Sequence, residues 1–245
     1  MKPDIVITPT LQELSKKAVE FLLESAAHTI GEKQRFNLVL AGGSTPKSTY
    51  RLLAEPQISK RCDWKKVHLF WGDERCVPPN HHNSNFHMAS EALIKHIPIP
   101  IENIHRIKGE VDPGTSAAEY QQELLSYFHG ESIVFDLVIL GLGADGHTAS
   151  LFPQTKALTS NDWVAANYVP KLESWRITMT AKTINAAKQI IFLVAGEGKA
   201  KTVSHILEGP AQSGTYPAQM IAPKNGTTLW LLDQHAASYL HDKYN

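Results

Sequence analysis

Short apolar runs rich in β-branched residues alternate along the chain with longer stretches in which apolar residues recur every three or four positions. The first pattern is typical of buried strands, and the second is typical of amphipathic helices. The predicted strands are 4–8, 36–43, 66–73, 135–141, 163–169, 176–180, 189–196 and 227–233.

Helices are predicted between these strands from the apolar spacing and from the residues that usually begin and end helices. The first covers 10–30 and ends at Gly31. The second begins with Thr45 as N-cap and Pro46 at the first helical position, which proline favours. The other predicted helices are 84–95, 112–128, 147–152, 197–208, 217–222 and 234–242.

This alternation of strands and helices predicts an α/β fold. Because the strands are almost continuously apolar, we expect a mostly parallel sheet that is covered by helices on both faces. The sequence contains no low-complexity linker and no internal repeat, so a single domain over residues 1–245 is expected. The proline-containing stretch 96–115 is expected to be a surface excursion.

The composition excludes some classes of function. Lys plus Arg and Asp plus Glu both number 24, so no basic field favours nucleic acid or an anionic membrane surface. Two cysteines are too few for a disulfide framework, the first residues lack a secretory pattern, and no apolar run could span a membrane. We therefore expect a cytoplasmic protein that holds any anionic ligand with a few local groups.

The loop after the second predicted strand has the composition of a phosphate-binding turn. In "LAGGSTP", Gly42 and Gly43 allow backbone N–H groups to approach an anion, while Ser44 and Thr45 add hydroxyl donors. The following helix directs the positive end of its dipole to the same place. The alternative interpretation is a tight turn with an N-cap.

The loop after the third predicted strand, "WGDERCVPPNHHNSN", places Asp73, Glu74 and Arg75 directly at the end of the strand. Taken alone, these charges are expected to be solvated, and they gain a functional meaning only if other loops converge on them. The adjacent histidines of this loop rarely bind one ion together, and no cysteine pair accompanies them. No metal site is expected here.

The stretch "VILGLGADGHTASLFP" fits G-x-G-x-x-G, a pattern of dinucleotide-binding loops. Asp145 inside the loop would repel a pyrophosphate, and Asp162 precedes the next strand, whereas a ribose-binding acid would follow it. We therefore expect no dinucleotide cofactor. His147 is instead a candidate general base near neutral pH, oriented by Asp145 or Asp73. The alternative is a capping aspartate beside a packed histidine.

Two isolated cations are candidates for holding a phosphate. Arg176 begins one predicted strand, and Lys199 follows the end of another. A phosphate dianion needs cationic partners, and a guanidinium can bind it through two hydrogen bonds. From spacing alone, each residue would be interpreted as a surface charge.

Taken together, these segments resemble the 6-phosphogluconolactonase family, of the type related to glucosamine-6-phosphate deaminases. The resemblance spans about 36–233, and its most specific block is "GLGADGHTASLFP". Further matching motifs, in family order, are "LAGGSTP", "WGDERCVP", "SNFHMA", "RIT", "IFLVAGEGKA", "YPAQMI" and "TTLWLLD". One departure is "PKLESWRIT", where the family often has a proline-rich approach to the arginine.

The resemblance implies a Rossmann-like α/β fold, no required cofactor and hydrolysis of 6-phospho-D-glucono-1,5-lactone to 6-phosphogluconate. The expected partner is thus a small phosphorylated sugar lactone, bound by a monomer or a small homo-oligomer. The resemblance also implies residue roles. His147 matches the general base with Asp145 beside it, Asp73 and Arg75 match an acidic and basic pair, and the sugar-phosphate positions are Gly43, Ser44, Thr45, Arg176 and Lys199.

Two rival functions stay open. The related deaminases place a glutamate five residues after the loop histidine, where this chain has Phe152, so hydrolysis is favoured over aminosugar-phosphate isomerisation or deamination. A non-catalytic sugar-phosphate sensor is the second rival. The first 30 residues contain only one convincing helix, which argues against the DNA-binding segment of a regulator.

Overall fold

The structure is a computed structural model that describes residues 3–130 and 132–241. Its strands are β1 (Asp4–Thr8), β2 (Phe36–Leu40), β3 (Val67–Trp71), β4 (Asp73–Arg75), β5 (Ile104–His105), β6 (Leu137–Leu140), β7 (Val164–Val169), β8 (Ser174–Met179), β9 (Gln189–Val194) and β10 (Thr227–Asp233). Its α-helices are α1 (Leu11–Lys33), α2 (Ser44–Leu53), α3 (Pro56–Ser59), α4 (Asn85–Ala92), α5 (Pro113–Tyr127), α6 (Ala181–Asn185) and α7 (Ala200–Leu207).

Seven strands form one parallel sheet in the order β1–β10–β9–β6–β2–β3–β5. Every residue of β2 and β6 is buried, so the sheet is covered on both faces at its centre. Alternate residues of a strand point to opposite faces, which is why such a strand must be apolar throughout. The predicted α/β fold with a mostly parallel sheet is confirmed.

The predicted strands 163–169 and 176–180 lie outside this large sheet. They correspond to β7 and β8, which pair antiparallel with each other, and β8 also pairs antiparallel with β4. The short strand β5, at the edge of the large sheet, was not predicted because its two residues lie in the expected surface excursion 96–115. The small three-stranded sheet matters for function because it brings β8 beside the loop that follows β3.

The bounds of several helices differ from the prediction, and two of these differences, in α1 and α2, have a clear physical cause. Helix α1 continues through Gly31 to Lys33 and ends at Gln34, which adopts a left-handed conformation (φ 59°) and donates its N–H to Ile30 O. Thr45 is not an N-cap. Gly43 takes that position with φ 103°, and no side chain caps the helix, so the first N–H groups of α2 remain available.

The helices predicted over 147–152 and 234–242 are wrong for the described residues. Residues 147–152 form a tight turn in which Leu151 N–H donates to Thr148 O. The Ser150 N–H donates to Thr178 Oγ1, and its carbonyl accepts from Asn167 Nδ2, so side chains of β7 and β8 replace helical partners. The helix predicted over 217–222 is a short 3₁₀ helix over Pro217–Met220. Residues 234–239 form turns, and residue 242 lies outside the described residues.

Within the described ranges, no helix has both the length and the apolar character required to cross a membrane.

Candidate active site

The loops that leave β2, β6 and β9 lie side by side, because these three strands are neighbours in the sheet. Together with the end of β4 they surround two adjoining cavities of about 230 and 300 Å³. Crevices at the carboxyl ends of parallel strands are where open α/β sheets bind ligands. Six residues line both cavities, which makes them two halves of one cleft: Asp73, Arg75, Gly143, His147, Ala149 and Lys199.

The ten residues to which the sequence analysis gave a catalytic or phosphate-binding role all line this cleft. One half contains the glycine turn of the first loop, and the other contains Asp145 and Arg176. His147 lines both halves, so its ring and the glycine turn border the same cavity. The residues from the sequence that line the first half are Gly42, Gly43, Ser44, Thr45, Asp73, Arg75, His147 and Lys199.

The glycine turn approaches its neighbours too closely for a larger residue. A Cβ on Gly42 would fall 2.0 Å from Asn85 Oδ1, and Gly43 holds the left-handed φ that glycine tolerates. Behind the turn, the buried Tyr50 hydroxyl accepts from Ala41 N–H at 2.9 Å and donates to Ala41 O at 3.0 Å. The turn is thus fixed at the end of β2, with the start of α2 facing the cavity.

His147 and Asp145 form a close pair. The distance between His147 Nδ1 and Asp145 Oδ1 is 2.5 Å, so the carboxylate accepts a hydrogen bond from Nδ1, and in the neutral imidazole this arrangement leaves the lone pair on Nε2. Nε2 has no hydrogen-bond partner among the described residues. The hydrogen bond from His147 lowers the pKa of Asp145 and outweighs burial, which acts in the opposite direction. A neutral imidazole oriented in this way can accept a proton from water at Nε2.

Two neighbours determine where the imidazole lies. A Cβ on Gly143 would fall 2.0 Å from His147 Nδ1 and 2.7 Å from Asp145 Oδ1, so only glycine leaves room for the pair. Phe152 stacks on the imidazole with ring centroids 4.0 Å apart, and it is only 7% exposed. The G-x-G-x-x-G pattern is therefore explained by side-chain space around a histidine.

Strand β4 presents alternate residues to opposite sides. Asp73 and Arg75 line the cleft, while the Glu74 side chain turns away and accepts N–H groups from Asn85 and Phe86 at the start of α4. Burial raises the pKa of Glu74, and these hydrogen bonds oppose that effect. Glu74 thus organises the loop, and its two neighbours face the ligand space.

Asp73 forms no hydrogen bond with His147 in the structure. Its Oδ2 accepts from Ser150 Oγ at 2.6 Å, and its Oδ1 accepts from Asn85 Nδ2 at 3.1 Å. Of the two aspartates considered in the sequence, Asp145 is the one paired with the imidazole. Asp73 instead links the loop after β3 to the loop after β6.

Arg75 and Arg176 are register partners across β4 and β8. Burial lowers the pKa of Arg176, and the nearby positive charge of Arg75 acts in the same direction. Burial also lowers the pKa of Lys199. Among the described residues none of these three half-buried cations forms a salt bridge, and an arrangement of half-buried cations without acidic partners favours binding of an anion.

The sequence did not predict the contacts of four residues that shape the cleft. Phe152 and Ser150 belong to the "HTASLFP" block, and Asn85 belongs to "SNFHMA", so the motifs contained them without revealing their contacts. Lys171 lies in the stretch that departs from the family pattern. In the part of the chain that the structure describes, no group of three or more His, Cys, Asp or Glu residues could hold a metal ion.

Comparison with known proteins identifies relatives over nearly the whole chain. The family model for glucosamine-6-phosphate isomerases/6-phosphogluconolactonase matches residues 9–230. A 6-phosphogluconolactonase from Aggregatibacter actinomycetemcomitans is 42% identical, and the match covers 95% of this chain and 97% of that relative.

Solved structures agree with this result. The 6-phosphogluconolactonase from Trypanosoma cruzi is 29% identical with a TM-score of 0.86, and the match covers 98% of each chain. A monomeric glucosamine-6-phosphate deaminase is 25% identical with a TM-score of 0.81, covering 96% of this chain and 99% of that one. The same scaffold thus occurs in both kinds of protein, and the residues of the cleft must distinguish between them.

Proposed function

Because this chain belongs to the family of glucosamine-6-phosphate isomerases and 6-phosphogluconolactonases, we propose that it hydrolyses 6-phospho-D-glucono-1,5-lactone to 6-phospho-D-gluconate. This reaction is the second step of the oxidative pentose phosphate pathway. The observation that carries the proposal is the His147 imidazole, held by Asp145 on one side and stacked on Phe152 on the other, in a cleft that also holds unpaired cations.

The phosphate of the substrate occupies the half of the cleft that contains the glycine turn. Backbone N–H groups at the start of α2, the hydroxyls of Ser44 and Thr45, and the cation of Lys199 are available there. Arg176 supplies a second cation from the other half of the cleft. Binding the phosphate in this way fixes where the lactone carbonyl lies, and this positioning lowers the barrier of the chemical step.

Hydrolysis begins when His147 Nε2 takes a proton from a water molecule that attacks C1. The new C–O bond converts the carbonyl oxygen into an oxyanion, for which Arg75 is a donor. The bond between C1 and the ring oxygen then breaks, and His147 returns its proton to that oxygen. Asp145 stabilises the imidazolium that exists between the two proton transfers. The product acid ionises at neutral pH.

Phe152 favours hydrolysis over deamination. The related deaminases carry a glutamate at this position, and a phenyl ring cannot transfer protons. In this chain the ring packs against the imidazole instead. The proposal also includes a cytoplasmic location, a single domain over 1–245, no cofactor, and a monomer or small homo-oligomer.

The test measures lactone hydrolysis at slightly acidic pH, where uncatalysed opening is slow, and ammonia release from glucosamine 6-phosphate. His147→Ala should lower kcat roughly 10²–10⁴-fold, the usual contribution of a general base. His82→Ala, which changes an exposed histidine outside the cleft, is the matched control and should keep full activity. Ammonia release by the wild type, or undiminished hydrolysis by His147→Ala, would contradict the proposal. Tight phosphosugar binding without turnover would indicate a sensor.

A further inference from the structure

The turn that joins β7 to β8 lines the half of the cleft that contains Asp145 and Arg176, called the catalytic half below. Lys171 and Leu172, in the 3₁₀ turn Pro170–Leu172, line the same cavity as His147. The Lys171 side chain is 75% exposed, and its Nζ lies 3.7 Å from Asp145 Oδ2. Asp145 thus has the imidazole at one oxygen and an ammonium group near the other.

The ammonium group of Lys171 is weakly held. A separation of 3.7 Å from Asp145 Oδ2 is longer than a hydrogen bond, and the structure gives Lys171 no other partner among the described residues. The arginines of this half are more constrained. Arg75 Nη1 donates to Asn83 O at 2.6 Å, and Arg176 Nη1 donates to Ser174 Oγ and Trp175 O. Lys199 also lines this half, but it is assigned to the phosphate, so Lys171 is the remaining cation beside the Asp145–His147 pair that no hydrogen bond holds.

The proposed reaction creates negative charge in this half of the cleft. The lactone end of the substrate is neutral, but the tetrahedral intermediate carries an oxyanion at C1, and the product carries a carboxylate there. The attacking water must be within hydrogen-bond reach of His147, so C1 lies close to the imidazole. A cation placed here strengthens its contact as the reaction proceeds, which is the condition for lowering the barrier.

We propose that Lys171 binds the oxygens of C1, stabilising the oxyanion and then the carboxylate of the product, in addition to Arg75. This inference rests on the proposed function. It assigns the turn between β7 and β8 a direct role in recognising the acid end of the ligand. The phosphate end is bound by the glycine turn together with Lys199 and Arg176, so the two ends of the ligand contact different residues and can be tested separately.

The experiment compares two ligands that differ at C1. 6-Phosphogluconate has a carboxylate there, and sorbitol 6-phosphate has the same phosphate and chain with a hydroxyl instead. Titration calorimetry on the wild type and on Lys171→Met gives the dissociation constant of each ligand. Loss of one charge-assisted contact should weaken 6-phosphogluconate binding about tenfold. Sorbitol 6-phosphate should change less than about twofold, because neutral hydroxyls form weaker contacts with an ammonium group.

Turnover provides a second measurement. Lys171→Met should lower kcat on the order of tenfold with little change in KM, since the charge develops in the transition state. Lys171→Arg should restore most of the loss. Lys156→Met, at an exposed lysine outside the cleft, should match the wild type in both measurements. Because the Lys171 side chain is exposed, the thermal midpoint should not move; if Lys171→Met nevertheless unfolds, Lys171→Gln carries the same test.

Equal weakening of both ligands, or no weakening of either, would overturn the assignment and leave Lys171 as a neighbour of Asp145 only. These outcomes are separate from failure of the proposed function, which is judged by lactone turnover of the wild type. The ratio of the two dissociation constants tests whether Lys171 recognises the carboxylate at C1, and this test does not depend on lactone turnover.

Discussion

Two glycine-containing loops leave neighbouring strands of the sheet, and they use glycine for opposite purposes. In the loop after β2, glycine exposes backbone: Gly43 turns the chain with φ 103° so that α2 begins with free N–H groups. In the loop after β6, glycine makes space for side chains, because a Cβ on Gly143 would overlap the His147–Asp145 pair. Similar glycine spacing therefore does not indicate a similar ligand.

The two loops also end differently. A helix follows the first loop and adds its dipole to the anion site. The second loop continues into a tight turn in which Ala149 has φ 47° and the backbone of Ser150 is bonded by β7 and β8. A non-glycine residue with positive φ costs about 1 kcal/mol or more, and such residues often occur at functional sites. The first loop is thus suited to binding and the second to chemistry.

The largest expected effect is a loss of kcat when Gly143 of the second loop is replaced. Gly143→Ala should lower kcat at least about 100-fold, because the new methyl group displaces the base and its aspartate. Gly141→Ala is the matched control, since its Cβ would meet only Gly42 O at 3.9 Å, an ordinary contact. Steady-state kinetics on both variants measures the difference. Equal activity of the two variants would remove the explanation given for the second loop.

Replacing Gly43 in the first loop should affect substrate binding and not the chemical step. Gly43→Ala places a side chain at φ 103°, which costs about 1–2 kcal/mol and shifts the free N–H groups of α2. We expect KM to rise about tenfold and kcat to change little. Gly31→Ala, at an open helical position in α1, should leave KM unchanged. A fall in kcat with constant KM in Gly43→Ala would reverse the roles assigned to the two loops.

Removing the Tyr50 hydroxyl, which holds the first loop through Ala41, should have a smaller effect. Tyr50→Phe leaves the buried N–H and C=O of Ala41 without partners, which should lower the free energy of unfolding by about 1–3 kcal/mol. Tyr120→Phe removes an equivalent pair of bonds to Trp71 and serves as the control for stability. Urea denaturation should show a similar decrease in the free energy of unfolding for both variants. Only Tyr50→Phe should also weaken binding of inorganic phosphate. Equal phosphate affinity in the two would contradict this.

The smallest effect concerns acid stability. The pKa of Asp145 is lowered in the folded state, so its contribution to stability is present above the ordinary value of about 3.9 and is lost as the pH falls toward the folded pKa. The stability difference between wild type and Asp145→Asn should therefore persist down to about pH 4 and shrink below it. Thermal unfolding across this range measures it, with the exposed Asp162→Asn as control. A stability difference between wild type and Asp145→Asn that grows as the pH falls would contradict this prediction.

Much of the fold could be predicted because strand and helix patterns are local. The strands of the large sheet from β1 to β10 were predicted from their apolar runs, with the exception of the two-residue β5, and α5 begins at Asp112 and Pro113 as the sequence indicates. The errors lie where distant groups decide the local structure. The stretch 147–152 resembles a helix in composition, but the side chains of Asn167 and Thr178 hold its backbone in a turn.

The sequence by itself determined the α/β class, the family and the candidate residues, because apolar periodicity and short motifs are encoded in neighbouring positions. Only the tertiary structure decided how these residues pair. It placed Asp145 rather than Asp73 at His147, turned Glu74 away from the cleft, and brought Lys171 to the catalytic half. The physical reason is that each of these contacts depends on the relative positions of loops that leave different strands, and local sequence does not specify those positions.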